Sequence, residues 1–275
     1  MPRIATLGPE GSFSEEAALE YGKRFEELEI LLMDDPQEII GLERGADLGV
    51  VAIENSLEGS IGLTLDIMRE MTSVICDEVV LRISHSLVGR CDLGSVEKVF
   101  SHPAAIAQCR RFLKERLPHA ELVVASSTAQ GAKLASLEPR SAAIASPRAA
   151  GIYGLKVLAQ DIQDQETYTR FIVVGRSMPG PSGRDKTSLI IVLKDSPGAL
   201  YRALEPFARR GINLTKIESR PSKRALGEYV FFVDFDGHLA DQASQMALAE
   251  LSRVCVSVKV LGSYPAATFP KRPTP

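Results

Sequence analysis

The sequence predicts an α/β protein in two unequal parts, and three observations carry that reading. From residue 1 to about 176, short apolar runs alternate with helical patterns, which argues for stacked βα units around an open sheet. The stretch "GRSMPGPSGRD", Gly175 to Asp185, concentrates Gly, Pro and Ser with charges and has no periodicity, so a domain boundary falls there. Beyond it the patterns run strand, helix, strand, strand, helix, strand, and two βαβ halves in about 80 residues imply a ferredoxin-like βαββαβ sandwich.

Taken in order, Ile4 to Leu7 reads as a strand, followed in "TLGPEGSFSEEAALEYG" by Gly8 and Gly11, a helix cap at Ser12 or Ser14, and Glu15 and Glu16 in the first turn. Leu48 to Ile53 is a buried strand running into Glu54-Asn55-Ser56, with Gly59 and Gly62 allowing close backbone approach. Val79 to Ile83 is a strand. Val96 to Phe100 leads into Ser101 as a cap with Pro103 in the first turn, Leu122 to Ala125 into Ser126-Ser127-Thr128, and Ala142 to Ala145 into Ser146-Pro147. The first part closes on Phe171 to Val174. In the second, Thr187 to Leu193 is a strand. A helix begins near Ser196, with Arg209 and Arg210 in its last turn and Gly211 as its stop. Strands Leu214 to Ser219 and Glu228 to Phe235, a helix Ala240 to Arg253 and a strand Val256 to Leu261 complete the order. The Pro-rich tail from Tyr264 to Pro275 is expected to be loosely ordered.

Composition narrows the function classes. The 275 residues are 45% hydrophobic and 24% charged with a formal net charge of -3, so no excess of Lys and Arg points to nucleic acid as a partner. Cys76, Cys91, Cys109 and Cys255 have no CxxC spacing and read as reduced core thiols. Without a basic and apolar leader or an apolar run of spanning length, a cytoplasmic protein with no membrane partner is expected.

Five Ser/Thr-rich strand ends lie where an open sheet binds ligands, and helix N-termini there offer free N–H groups to an anion. Each is also an ordinary helix cap, but together they favour a small carboxylate ligand. His102 could donate a proton or merely bond its surroundings, His85 in "RISHSLVG" leans to structure, and His119 and His238 sit in turns. No HExxH, Cys-His cluster or carboxylate pair suggests a metal, and "GPEGSFS" lacks both the P-loop lysine and the third glycine of a dinucleotide fingerprint. No metal and no cofactor is expected. In "DIQDQETYTRFIVVG", Thr169 and Arg170 stand at a strand mouth with no His or Cys nearby in sequence to make the threonine a nucleophile.

The segments "GPEGSFSEEAA", "VVAIENSLEGSIG", "ISHSLVG", "FSHPAAIAQC", "SSTAQGAKLA" and "AAIASPRAAGIYGLKVLAQDIQDQETYTRF" strongly resemble the prephenate dehydratase family, in family order across nearly all of residues 1–176. The second part, with "SPGALYRAL" and "INLTKIESRP", is similar to the ACT regulatory module. The resemblance implies a two-lobed catalytic domain over 1–176, like type 2 periplasmic binding proteins. Lobe 1 would be about 1–75 plus 163–176 and lobe 2 about 76–162, with a linker at 177–186, an ACT domain at 187–263 and a tail at 264–275. It implies loss of water and carbon dioxide from prephenate to give phenylpyruvate in phenylalanine synthesis. Thr169 would be catalytic, and Asn55, Ser56, Ser101, Gln108, Ser127, Thr128, Arg170 and Phe171 would bind substrate. Ser101 and Gln108, seven apart, would share a face of one helix. Arg170 either clamps a substrate carboxylate with its planar fork or sits in a structural ion pair, and Phe171 fits better beneath the site than against substrate. L-phenylalanine would bind as effector near Gly198, Ala199, Leu200, Asn213, Leu214, Glu218, Ser219 and Arg220 in a homodimer or homotetramer. Thr167, Ala104 and Ser126 depart from frequent family residues, at positions that bear on fine substrate positioning. No long helical stretch precedes Ile4, so the chorismate mutase domain of some members is expected to be absent. Arogenate dehydratase, and a non-catalytic binding or sensor protein for an aromatic acid, stay open as alternatives.

Overall fold

A computed structural model describes residues 1–223 and 228–268. The chain opens with β1 (Arg3–Leu7), α1 (Phe13–Gly22), β2 (Glu29–Met33), α2 (Pro36–Ile40), β3 (Leu48–Asn55), β4 (Gly59–Ser60), α3 (Gly62–Met68) and β5 (Val74–Ile83). It crosses into a second lobe of β6 (Ser86–Gly89), β7 (Lys98–Ser101), α4 (Pro103–Gln108), α5 (Arg110–Arg116), β8 (Glu121–Val124), α6 (Thr128–Ala135), β9 (Ser141–Ala145), α7 (Pro147–Ile152) and β10 (Lys156–Ala159). It returns to the first lobe as β11 (Thr167–Gly175). The second domain is β12 (Asp185–Val192), α8 (Ala199–Ala208), β13 (Leu214–Pro221), β14 (Tyr229–Asp236), α9 (Gln242–Val254) and β15 (Ser257–Pro265).

The two lobes repeat one strand pattern. In the first the order is β2-β1-β3-β11-β5, and in the second β8-β7-β9-β6-β10. In each, three parallel strands are followed by an antiparallel pair whose two members carry the chain between lobes. Each is a mixed sheet. β5 pairs along its length with β11, from Val74 opposite Gly175 to Ile83 opposite Thr167. Residues 76–83 therefore belong to the first lobe, and the boundary expected at Cys76 moves to Ser84, because a strand cannot leave the sheet whose ladder it forms.

Helix caps follow sequence at α1, α6 and α7, where Ser12, Ser127 and Ser146 accept from Glu15, Gln130 and Ala149 backbone N–H groups. At α4 the cap is His102, not Ser101. Its ring accepts from Ala104 N, while Ser101 ends β7 and turns its hydroxyl to the Ile144 carbonyl at 2.7 Å. Ser101 and Gln108 are thus on a strand and at a helix end, not on one helix face. Helix α8 begins at Ala199 rather than near Ser196, since Gly198 takes a left-handed φ of 76° that only then turns the chain into the helix.

The second domain's sheet, β13-β14-β12-β15, continues into the first lobe's through β15 and β5 at Gly262 opposite Ile75. A Cβ at residue 262 would lie 2.1 Å from the Ile75 carbonyl oxygen, so glycine makes that junction possible. Tyr264 and Pro265 close β15, and the Tyr264 ring is wholly buried. The tail drawn from 264 begins too early, because Pro richness outweighs one buried aromatic in the composition signal; residues 269–275 lie outside the described residues. Asp185 and Lys186, placed in the linker by composition, form the start of β12.

Candidate active site

Two chain crossings, Ser84-His85 outward and Ile162 to Glu166 inward, form the floor between the lobes. They are tied together: Ile162 N–H donates to the His85 carbonyl at 2.9 Å, and His85 N–H donates to Gln163 Oε1 at 2.9 Å. At one flank the lobes meet where Gly11, at φ 84°, lies so close to α7 that a Cβ there would stand 3.0 Å from Ala149 Cα. Arg148 donates to both Glu15 carboxylate oxygens at 3.2 and 3.3 Å, and the Tyr153 hydroxyl donates to the Glu10 carbonyl at 2.8 Å. Burial pushes the pKa of the neighbouring Glu16 carboxyl up, against the pull of Ser146 and Arg148.

Thr169 lies directly opposite Asn55 in the β11–β3 ladder, so both side chains emerge on one face. Asn55 Nδ2 donates to Thr169 Oγ1 at 3.0 Å. The amide cannot be reversed, because Asn55 Oδ1 accepts the backbone N–H groups of Leu57 (2.9 Å) and Glu58 (3.1 Å). With a lone pair of Oγ1 engaged by Asn55, the threonine's own proton is available for an acceptor in the cleft. The same turn presents Glu58, whose carboxylate accepts from Gln108 Nε2 at 3.2 Å across the cleft; Gln108 Oε1 in turn meets His85 Nε2 at 3.2 Å. Hydrogen bonds thus link Thr169 to Asn55 and Asn55 to the Glu58 backbone, and the Glu58 side chain through Gln108 to His85. Glu58 left no signal in sequence beyond its place in an Asn-initiated turn.

Other expected residues stand apart. Ser56 braces β11, accepting from Tyr168 N–H at 3.0 Å while its own N–H donates to the Tyr168 carbonyl at 2.9 Å. Ser127 is occupied as the cap of α6, and Thr128 is that helix's first residue. Phe171 is 1% exposed and packs with Ile4, Ala17, Val50 and Val79, in the core below Thr169 and not against a ligand.

Arg170 faces away from the cleft, since successive residues of a strand point to opposite sides. Its guanidinium donates to Glu78 (2.6 Å), Asp234 (2.7 Å) and the Tyr264 hydroxyl (2.9 Å), and Lys186 Nζ meets Glu78 at 2.7 Å. Of its two sequence readings, the ion pair is what forms, and it joins β11 to the second domain. Burial works against charge on Arg170 and Asp234 alike. Asp234 with Glu78 nevertheless holds the guanidinium's pKa above its usual value, and Arg170 with Ser188 holds the Asp234 carboxyl below the usual range. A cavity of about 1120 Å³ opens on this side beside Tyr168, Arg170, Lys186 and Asp236; Thr169 does not line it.

In the second domain, Arg220 is bound to Asp66 of the first lobe at 3.2 Å, and Asn213 Nδ2 donates to Asp236 at 2.9 Å. Through the shared neighbour β14, β13 runs parallel to β12. Gly198 to Leu200 and Glu218 to Arg220 therefore share one end of the domain, and Asn213 and Leu214 lie about 20 Å away at the other. Ala199 and Leu200 line a cavity of about 590 Å³ with Arg69, Ser222 and Tyr229. No group of His, Cys, Asp or Glu among the described residues could hold a metal ion, and no helix among them is long and apolar enough to cross a membrane.

The family described as Prephenate dehydratase matches residues 4–179, and the ACT domain family matches residues 187–253. The prephenate dehydratase of Amycolatopsis methanolica is 39% identical over 97% of this chain and 90% of its own length. In three dimensions the chain is similar to the prephenate dehydratase of Arthrobacter aurescens in complex with L-Phe, with a TM-score of 0.85, 37% identity, and coverage of 96% of this chain and 90% of that one. It is also similar to GqqA, described as a novel type of quorum quenching acylase, with a TM-score of 0.87, 29% identity, and coverage of 96% and 98%.

Proposed function

The chain belongs to the prephenate dehydratase family, and from that premise we propose that Thr169 assists departure of hydroxide from prephenate held between the two lobes. As the bond from the ring to its carboxylate breaks, the electron pair enters the ring; the C4–O bond breaks, and carbon dioxide, water and phenylpyruvate result. Aromatisation drives the elimination, so a positioned hydrogen-bond donor suffices, and such assistance contributes about 10²–10⁴-fold. The observation that supports this role is the fixed orientation of the Asn55 amide, which donates to Thr169 and leaves the threonine's proton for the leaving oxygen. Thr169 then regains a proton from solvent.

Acyl transfer at the same threonine finds no support in its neighbours. A nucleophile needs a base to take its proton. Among the described residues Thr169 receives a hydrogen bond from Asn55, while the His85 imidazole is bonded to Gln108.

The ACT match, and the L-Phe complex of the Arthrobacter relative, support L-phenylalanine as effector. The expected contact residues lie at both ends of the second domain. A single ligand can touch both sets only if two copies of the domain pair, which supports at least a dimer. Purified protein incubated with prephenate should yield phenylpyruvate without added cofactor, and less with L-phenylalanine present. Thr169→Ala should lower kcat by at least about 10²-fold; unchanged turnover would remove the threonine from the chemistry. Equal concentrations of arogenate in competition decide between the two related substrates.

A further inference from the structure

His85 is not among the residues the family resemblance assigns to the site, yet it sits where the chain crosses from one lobe to the other. It is 4% exposed. Its ring stands edge-on to Phe13, the first residue of α1, at 5.5 Å between centroids, and its backbone is fixed on both sides by Gln163 and Ile162. Gln108, opposite, has its amide pinned at both ends. The Glu58 carboxylate can only accept, so it takes Nε2, and the ring must then donate to Oε1. That requires His85 to carry its proton on Nε2. Nδ1 is buried and has no hydrogen-bond partner among the described residues, so a second proton there would place an unpaired charge in the interior, and the ring is held neutral.

We propose that His85 is a positioning residue for prephenate binding: its Nε2–H sets the Gln108 amide so that the NH₂ group points into the cleft. In this structure the NH₂ meets Glu58; with substrate present it is the donor offered to a carboxylate or hydroxyl oxygen. The inference rests on the prephenate reading of the cleft, and its two experiments separate the failure of one from the failure of the other.

Nitrogen NMR of histidine-labelled full-length protein, without substrate, should find His85 neutral and protonated on Nε2 from pH 8 to pH 6; an Nδ1–H tautomer overturns the proposal whatever the enzyme acts on. In steady-state assays, His85→Leu should raise KM for prephenate about 3- to 10-fold, the worth of one neutral hydrogen bond, with kcat changed less than about twofold. Gln presents an amide nitrogen near the position of Nε2, so His85→Gln should recover most of the loss. Adding Gln108→Ala to His85→Leu should cost no more than Gln108→Ala alone. A merely structural histidine would instead give additive losses, a fall in kcat and no rescue by Gln, and any of these overturns the proposal.

Discussion

Asp234→Asn tests how far the second domain is built into the first. Arg170, Lys186, Glu78 and Asp234 form a cluster of two cations and two carboxylates whose side chains are at most 6% exposed, linked by contacts of 2.6, 2.7 and 2.7 Å. Asparagine keeps the shape and one acceptor but leaves a buried positive charge in excess. Breaking a buried pair from one side costs about 3–5 kcal/mol; because the amide oxygen still accepts from Arg170, about 3 kcal/mol is expected. Arg170→Met with Asp234→Asn removes both members and leaves Glu78 with Lys186, so the double variant should cost less than the sum of its singles by about 1–3 kcal/mol. Urea unfolding followed by far-UV circular dichroism measures this, since a chain with no Trp gives no tryptophan emission. The Asp234 carboxyl is held below its ordinary value, so the unfolded chain takes up the proton first on acidification. Its contribution is complete above about pH 4 and is lost as pH falls further, and Asp234→Asn should flatten that slope. A cost under about 1 kcal/mol, or strict additivity, would refute the ionic account of the junction.

Asn55→Asp keeps both acceptor bonds to Leu57 and Glu58 N–H but replaces the donor facing Thr169 by an acceptor. The threonine's proton then turns to the carboxylate, and kcat should fall by about 10²-fold; full activity would separate Asn55 from Thr169. Burial lowers the His85 pKa against the opposing pull of Gln108, so on acidification the unfolded chain protonates first. Stability relative to His85→Gln should therefore fall as pH drops below about 6.5, and a rise would show the ring to be charged. Arg220 is held by Asp66 in the first lobe, so Arg220→Ala and Asp66→Ala should weaken L-phenylalanine inhibition alike. Were Arg220 a direct effector ligand, Asp66→Ala would leave inhibition intact.

The strands and helices were legible where local chemistry decides them. Ser12, Ser127 and Ser146 announce their helices because each satisfies an orphan N–H group within three residues. β2, β4, β6 and β10 have no counterpart in the sequence pattern. Nothing in "SLVG" or "KVLA" states that β6 and β10 run antiparallel. That direction is settled by where the chain crosses between lobes, a property of the whole domain. Ser101 misled for a local reason, since His102 and Ser101 can both begin the turn before Pro103, and only the Ile144 carbonyl beside Ser101 decides between them.

The site divides along the same line. Thr169 and Asn55 stand 114 residues apart in sequence, and only the β11–β3 register makes them neighbours. The resemblance supplied their roles but not the reason the threonine's proton is free. Thr169 and Arg170, adjacent in sequence and alike in looking available for substrate, are separated by the alternation of the strand: the hydroxyl turns to the cleft and the guanidinium to Asp234 and Tyr264. One peptide bond therefore joins the residue proposed for the chemistry to a charge held by the second domain. A movement of β14 or β15 must shift Arg170 or break its bonds, and the ladder that carries Arg170 carries Thr169 with it. Effector binding to the second domain can thus reach the cleft through strand register, provided the ligand favours one of two arrangements of that sheet.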